Sequence, residues 1–233
     1  MQDKSYRQEQ EKIEGIFESD KTISHIAYEE ARKIDDTSYL PELYEYIKNT
    51  KDADLRRNAI YLLGHIGKNT KSVETADFLL SLLCTERNTQ EIVLILNRLE
   101  ELFKPSYLNL SIIKELCEKR GTRIRVNAYM ALTNSEHDSE KYLLTKLNST
   151  KSREDICGIA SALSYIGKKE SVNALSPFMK SRKHDIKFAV QNSLPTIMIR
   201  AKYPITEICR VAKVSTEFIR HRQERIDILT RPG

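Results

Sequence analysis

The feature that most constrains this chain is a repeated helical hairpin, clearest over residues 40–67. In LPELYEYIKNTKDADLRRNAIYLLGHIG, Leu40, Leu43 and Ile47 form one apolar stripe. Asn49 to Asp54 is a polar break, and Leu55, Ala59, Leu62, Leu63 and Ile66 form a second stripe at helical spacing. Gly67 is the expected C-terminal cap, because glycine tolerates a left-handed backbone. Two amphipathic helices this short cannot bury their own apolar faces and need neighbours.

The second helix, LRRNAIYLLGHIG from Leu55, recurs as DICGIASALSYIG from Asp155, IRVNAYMAL from Ile124 and IKFAVQNSLPTI from Ile186. NTQEIVLILNRLEELF keeps the stripe but loses the arginine and the small residues. Leucines 63, 99, 132, 163 and 194 are then 36, 33, 31 and 31 residues apart, a period typical of stacked helical repeats. First helices are expected at Val73–Thr85, Leu108–Lys119, Glu140–Ser149 and Ser171–Ser181. Tyr6–Glu18 and Ile23–Ile34 read as an acidic capping pair, and Ile205–Leu229 as one or two closing helices. With only 7 Gly and 6 Pro, an all-β chain would lack its turn residues.

LPELYEYIKNTKDADLRRNAIYLLGHIG and SVNALSPFMKSRKHDIKFAVQNSL resemble the short bacterial HEAT-like (PBS-lyase-type) repeats. Those repeats carry a helix, a D-x-x-[VIL]-[RK] turn entry and a small-residue-rich second helix ending L-G-x-I-G, all present in the first string. The resemblance implies an all-α, armadillo-like superhelix, a solenoid of about five to six hairpins. Capping helices would occupy residues 1–37, repeats 38–200 and further capping helices 201–233. Such repeats serve adaptors, lyases, hydroxylases, DNA glycosylases and inhibitors alike, so the likeness speaks to fold and hardly to function.

Each enzymatic branch should leave a trace. HEAT-repeat di-iron hydroxylases use His-Glu dipeptides, and none occurs. His25, His65, His137, His184 and His221 are scattered, with no two at i, i+3 or i, i+4 to form a metal pair. Alkylpurine glycosylases need aromatic surfaces, tryptophan above all, and the chain has no Trp. Phosphate-cradling glycine loops and nucleophile elbows are missing as well. No catalytic residue, cofactor, metal or small-molecule substrate is expected. Cys84, Cys117, Cys157 and Cys209 sit singly in apolar helical patterns, which reads as reduced, mostly buried thiols. The polar N-terminus and the lack of any roughly 20-residue apolar run favour a soluble, cytoplasmic protein with no membrane partner.

Two surfaces remain. In a solenoid the second helices usually line the concave face, where Arg56, Arg57, Tyr61, His65, Arg125, Tyr129, Tyr165 and Lys187 offer the Arg and Tyr chemistry of binding hot spots. The resemblance gives Arg56 and Arg125 a second role, since family repeats often pair an Arg at that position with an acid of the neighbouring turn. The other surface is a ridge of turn cations: Arg87, Lys119, Arg120, Arg123, Lys151, Arg153, Lys180, Arg182 and Lys183, which stacking would align along one edge. Charge is also graded along the chain. Residues 1–50 hold 7 Lys/Arg against 12 Asp/Glu, and residues 151–233 hold 16 against 8.

Ile208, Ala212, Val214, Ser215 and Ile219 in the tail match a helix-turn-helix spacing. Lys213 stands where the turn glycine would, and no third helix is evident, so a capping hairpin explains them equally. The leading expectation is a non-catalytic scaffold that binds another protein through its concave face, as an adaptor or an inhibitor such as an immunity protein. The alternative is nucleic-acid binding along the basic ridge.

Overall fold

The computed structural model describes residues 29–119 and 121–230, giving only the backbone for 225–230. The expected capping helix Tyr6–Glu18 and most of Ile23–Ile34 lie outside the described residues; of the latter, residues 29–31 are helical. The chain divides into two compact units, Met1–Ser72 and Val73–Gly233. Among the described residues it is helical throughout, and its one strand-like pairing is a single bridge between Lys104 and Ser135.

In the first unit, α1 (Leu40–Asn49) packs on α2 (Ala53–Asn69). Pro41 suits the first turn of α1, where its missing N–H has no partner to lose. The Asp52 carboxylate caps α2 by accepting from the N–H groups of Asp54 and Leu55 at 2.9 and 3.0 Å. Ile47, Ile60, Leu63 and Ile66 are fully buried between the helices, whereas Leu55 is half exposed. Gly67 is not the cap. The helix runs two residues further, and Lys71 takes the left-handed conformation at φ 55°, closed by a bond from Ser72 N–H to the Gly67 carbonyl at 2.8 Å. That closing bond offsets the roughly 1 kcal/mol a side chain costs there.

The second unit alternates first helices with second helices that are longer in every pair but the first, whose two helices have 13 residues each. In order they are α3 (Val73–Thr85), α4 (Thr89–Glu101), α5 (Ser111–Leu116), α6 (Thr122–Ala131), α7 (Ser139–Ser149), α8 (Arg153–Ile166), α9 (Lys169–Leu175) and α10 (His184–Arg200). Two closing helices follow, α11 (Ile205–Ala212) and α12 (Thr216–Thr230). The first helix expected over Leu108–Lys119 is only six residues long. The one expected over Ser171–Ser181 begins at Lys169 and tightens into a 3-10 turn at Ser176–Lys180, where Pro177 cannot continue the α-helical ladder.

The second helices pack in sequence, α4 on α6, α6 on α8 and α8 on α10; beneath them α3 contacts α5 and α7 contacts α9. Leu99, Leu132, Leu163 and Leu194 on these helices have no exposed surface. Small residues permit the close approach. A Cβ at Gly158 of α8 would lie 3.1 Å from Val126 and 3.3 Å from Tyr129, both on α6.

Polar ties fix neighbouring second helices side by side and pointing the same way. At their starts, Arg125 Nε donates to Asp155 at 2.9 Å, and Arg153 pairs with Asp185 at 2.8 Å. At their ends, Asn134 Nδ2 donates to the Glu101 carbonyl at 3.0 Å, and the Arg200 guanidinium donates to the carbonyls of Tyr165 and Gly167. Those carbonyls are the unsatisfied last acceptors of α8, so a cation there complements both hydrogen bonding and helix dipole.

Candidate nucleic-acid interface

Because the second helices of the second unit run side by side in one direction, the turns that lead into them share one edge. Arg87 precedes α4, Lys119 and Arg123 flank the start of α6, Lys151 and Arg153 that of α8, and Lys180, Arg182 and Lys183 precede α10. All eight side chains are exposed. Arg120 lies outside the described residues. At roughly 8–10 Å between packed helices, four helix starts extend the row over roughly 30 Å.

The row is sparsely neutralised. Arg153 pairs with Asp185, and both groups are about half exposed. Among the described residues no other ridge cation makes an ion pair. Most of the acids nearby are engaged elsewhere; Glu154, in the first turn of α8, is exposed and accepts from the Ser152 hydroxyl at 2.9 Å. Glu86 accepts from the backbone N–H groups of Arg87 and Asn88 at 2.8 Å, Glu118 pairs with Lys146 at 2.7 Å, and Asp155 is held by Arg125. Turn carboxylates are thus consumed in capping and stapling while the turn cations face water.

The residues expected on the concave face divide differently. Within the first unit, His65 is buried and packs edge-on against Tyr61, with ring centroids 4.4 Å apart, so it offers no side chain to a partner. Arg56 donates to the Ile47 carbonyl at 3.1 Å, tying α2 to α1, and Arg57 pairs with Asp54. The Tyr61 hydroxyl accepts from Arg32 at 3.1 Å. In the second unit Tyr129 is fully buried beneath α8 and belongs to the core; burial raises its pKa. Arg125 is only 16% exposed and is consumed by Asp155, by the Lys119 carbonyl at 2.9 Å and by Thr122. Tyr165 is 59% exposed and Lys187 half-buried.

Several polar side chains that organise this unit gave no periodic signal. Lys104, in the loop after α4, is fully buried, and its Nζ donates to the carbonyls of Leu99 and Leu102 at 2.5 and 2.6 Å. Burial pulls its pKa down to about 7, opposed by the charge of Glu100. Glu140 is nine-tenths buried and accepts from Lys168 N–H and Ser171 Oγ, both at 2.7 Å, securing the start of α9. Lone charged residues in loops look solvated in a sequence, and only the carbonyls they meet reveal otherwise.

Cys117 is buried, which pushes its thiol up to about 12, while Cys157 and Cys209 are partly buried. Cys84 is exposed, against expectation. Among the described residues no three His, Cys, Asp or Glu side chains gather as a metal site, and no helix is long and apolar enough to cross a membrane. An open pocket of about 440 Å³ lies over Glu140, Lys141, Thr145 and Lys168, mixing both signs of charge. No family model matches the chain, and no curated protein matches it in sequence.

Proposed function

We propose that this chain is a cytoplasmic, non-catalytic binding protein built from HEAT-like helical-hairpin repeats. Its second unit would bind nucleic acid along the cation-lined edge where α4, α6, α8 and α10 begin. The parallel stacking of the second helices and the buried leucine repeat support the repeat assignment. One observation carries the function: exposed cations from four successive turns share an edge where Glu86, Glu118 and Asp155 are already engaged by other groups. A row of roughly 30 Å matches about nine phosphates at roughly 3.4 Å per nucleotide on one strand, and release of condensed counterions would drive association.

Retention of duplex DNA or structured RNA at about 50 mM salt tests this, with binding that weakens steeply as salt rises. Reversal of Lys180, Arg182 and Lys183 to Glu should abolish retention without unfolding the protein, since all three are exposed. No retention of either nucleic acid by the unaltered protein would sink the proposal.

The protein-binding reading, as an adaptor or inhibitor, keeps one favourable observation. Tyr165 and Phe188, on adjacent helices α8 and α10, are 59% and 58% exposed. An interface anchored on them would persist at high salt.

A further inference from the structure

We infer that α11 and α12, with α10 as the supporting helix, form a helix-turn-helix that lays α12 in the major groove of double-stranded DNA. The inference rests on the nucleic-acid reading of the adjoining edge and assigns it a duplex partner and a base-reading element.

Both sequence objections to such a motif disappear in the structure. Lys213 stands where the turn glycine is expected, yet it adopts the left-handed conformation, φ 54° and ψ 48°, that the glycine would supply. The turn between the helices is the three residues Lys213–Ser215, and Ser215 caps α12 through its hydroxyl, which accepts from Phe218 N–H at 3.1 Å. The third helix is α10, which packs on both α11 and α12. Ile208, Ala212 and Ile219 are buried, as are Leu194, Ile197 and Met198 of α10. Polar bonds hold the turn and the second helix in place. Gln191 Nε2 donates to the Lys213 carbonyl at 3.0 Å, and Arg222 donates to Thr196 Oγ1 at 2.8 Å and to the Asn192 carbonyl.

With Ile219 and Arg222 turned inward, α12 leaves Glu217, Arg220, His221 and Glu224 exposed at i, i+3, i+4 and i+7, on one face. A helix of roughly 10–12 Å diameter fits a major groove roughly 12 Å wide. The face differs from the ridge in composition, and the difference indicates what it touches. A phosphate-binding surface excludes carboxylates. A base-reading surface accommodates them, because Arg forks onto guanine O6 and N7 while Glu accepts from the cytosine amino group. Lys202 and Lys213 are exposed around the motif and supply flanking positive charge, while the exposed Arg210 pairs with Glu207 at 3.8 Å.

The placement on α10 favours one duplex for both surfaces. Gln191, which holds the turn, is seven residues from His184 where the ridge ends, roughly 10 Å at 1.5 Å per residue, or about three base pairs. Ridge cations and α12 thus lie within reach of one short DNA segment.

Selection from a pool of random 20-base-pair duplexes at about 100 mM salt is the test, run on the full chain and on Arg220→Lys, which keeps the charge but loses the two-pronged fork. The expected result is a short enriched motif containing a G·C pair, with preference at that pair falling roughly tenfold in Arg220→Lys while affinity for unselected duplex changes less than about twofold. Duplex binding without an enriched motif, or with the same motif in Arg220→Lys, overturns the base-reading role of α12 and leaves the ridge standing. No DNA duplex binding at about 50 mM salt overturns the groove-reading role of α12, and only the added loss of structured-RNA retention overturns the ridge.

Discussion

Breaking the Arg125–Asp155 staple is the sharpest test of how the second unit is held. The pair links the starts of α6 and α8 at 2.9 Å, with side chains only 16% and 10% exposed, so it is better insulated than a surface ion pair. Exposed pairs contribute roughly 0–1 kcal/mol, whereas removing one partner of a buried pair costs about 3–5 kcal/mol. Partial burial places Asp155→Ala between these limits, at about 2–3 kcal/mol, because the Arg125 guanidinium stays pinned by the Lys119 carbonyl with its charge uncompensated. Arg125→Ala strands Asp155, which keeps only Thr150 at 3.3 Å besides its backbone, and should lose a similar amount. In the double variant neither charge is stranded, so the loss should fall short of the sum by about 1–2 kcal/mol. For a chain of this size each kcal/mol lowers Tm by roughly 2–4 °C, so each single variant should melt roughly 5–10 °C early. Arg153→Ala, which breaks the half-exposed pair with Asp185, is the matched control and should leave stability nearly unchanged. Urea denaturation followed by circular dichroism measures all four. Single variants within about 0.5 kcal/mol of the parent and strict additivity would refute the staple.

Three further outcomes follow from the packing. Leu132→Ala empties a fully buried position and should cost about 2–5 kcal/mol, against the near-neutral change expected of a solvated leucine. A Cβ at Gly167 would lie 2.6 Å from the Leu163 carbonyl oxygen and 2.8 Å from Ser171 Oγ, so Gly167→Ala should destabilise by about 1–3 kcal/mol, while Gly121→Ala, with nothing nearer than 3.8 Å, should be tolerated; equal melting points would contradict this. Lys104 titrates near 7 when folded and near about 10.4 when unfolded, so across that window the unfolded chain holds a proton that the folded chain has released. Stability should therefore rise with pH from about 7 to about 10 and do so less in Lys104→Met; identical pH profiles would remove the buried titration.

Much of the helical framework was legible because apolar stripes at helical spacing follow from burying one face of a helix. Leu63 in the first unit and Leu99, Leu132, Leu163 and Leu194 in the second are buried, and α3 spans the expected Val73–Thr85. Rotational detail was harder. One residue turns a helix by about 100°, so Tyr129, next to the buried Ala128, reads as a face residue until the packing of α8 places it in the core. His65 fails for the same reason. Helix ends misled because glycine is only the cheapest left-handed residue. Lys71, Asn134, Lys202 and Lys213 fill that conformation here, each at a helix end. The ridge was legible as a recurrence of cations in turns. Its lack of neutralisation was not, because whether Glu118 meets Lys119 or Lys146 is decided by how the helices pack.

The most direct test of the cation-lined edge is the salt dependence of duplex binding, measured as log K against log salt from about 50 to 200 mM. A slope of about −0.9 per neutralised phosphate, with five to seven unpaired ridge cations engaged, gives roughly −4 to −6. Reversal of Lys180, Arg182 and Lys183 should collapse both affinity and slope. A slope near zero, or one unchanged by that reversal, would contradict nucleic-acid binding along this edge.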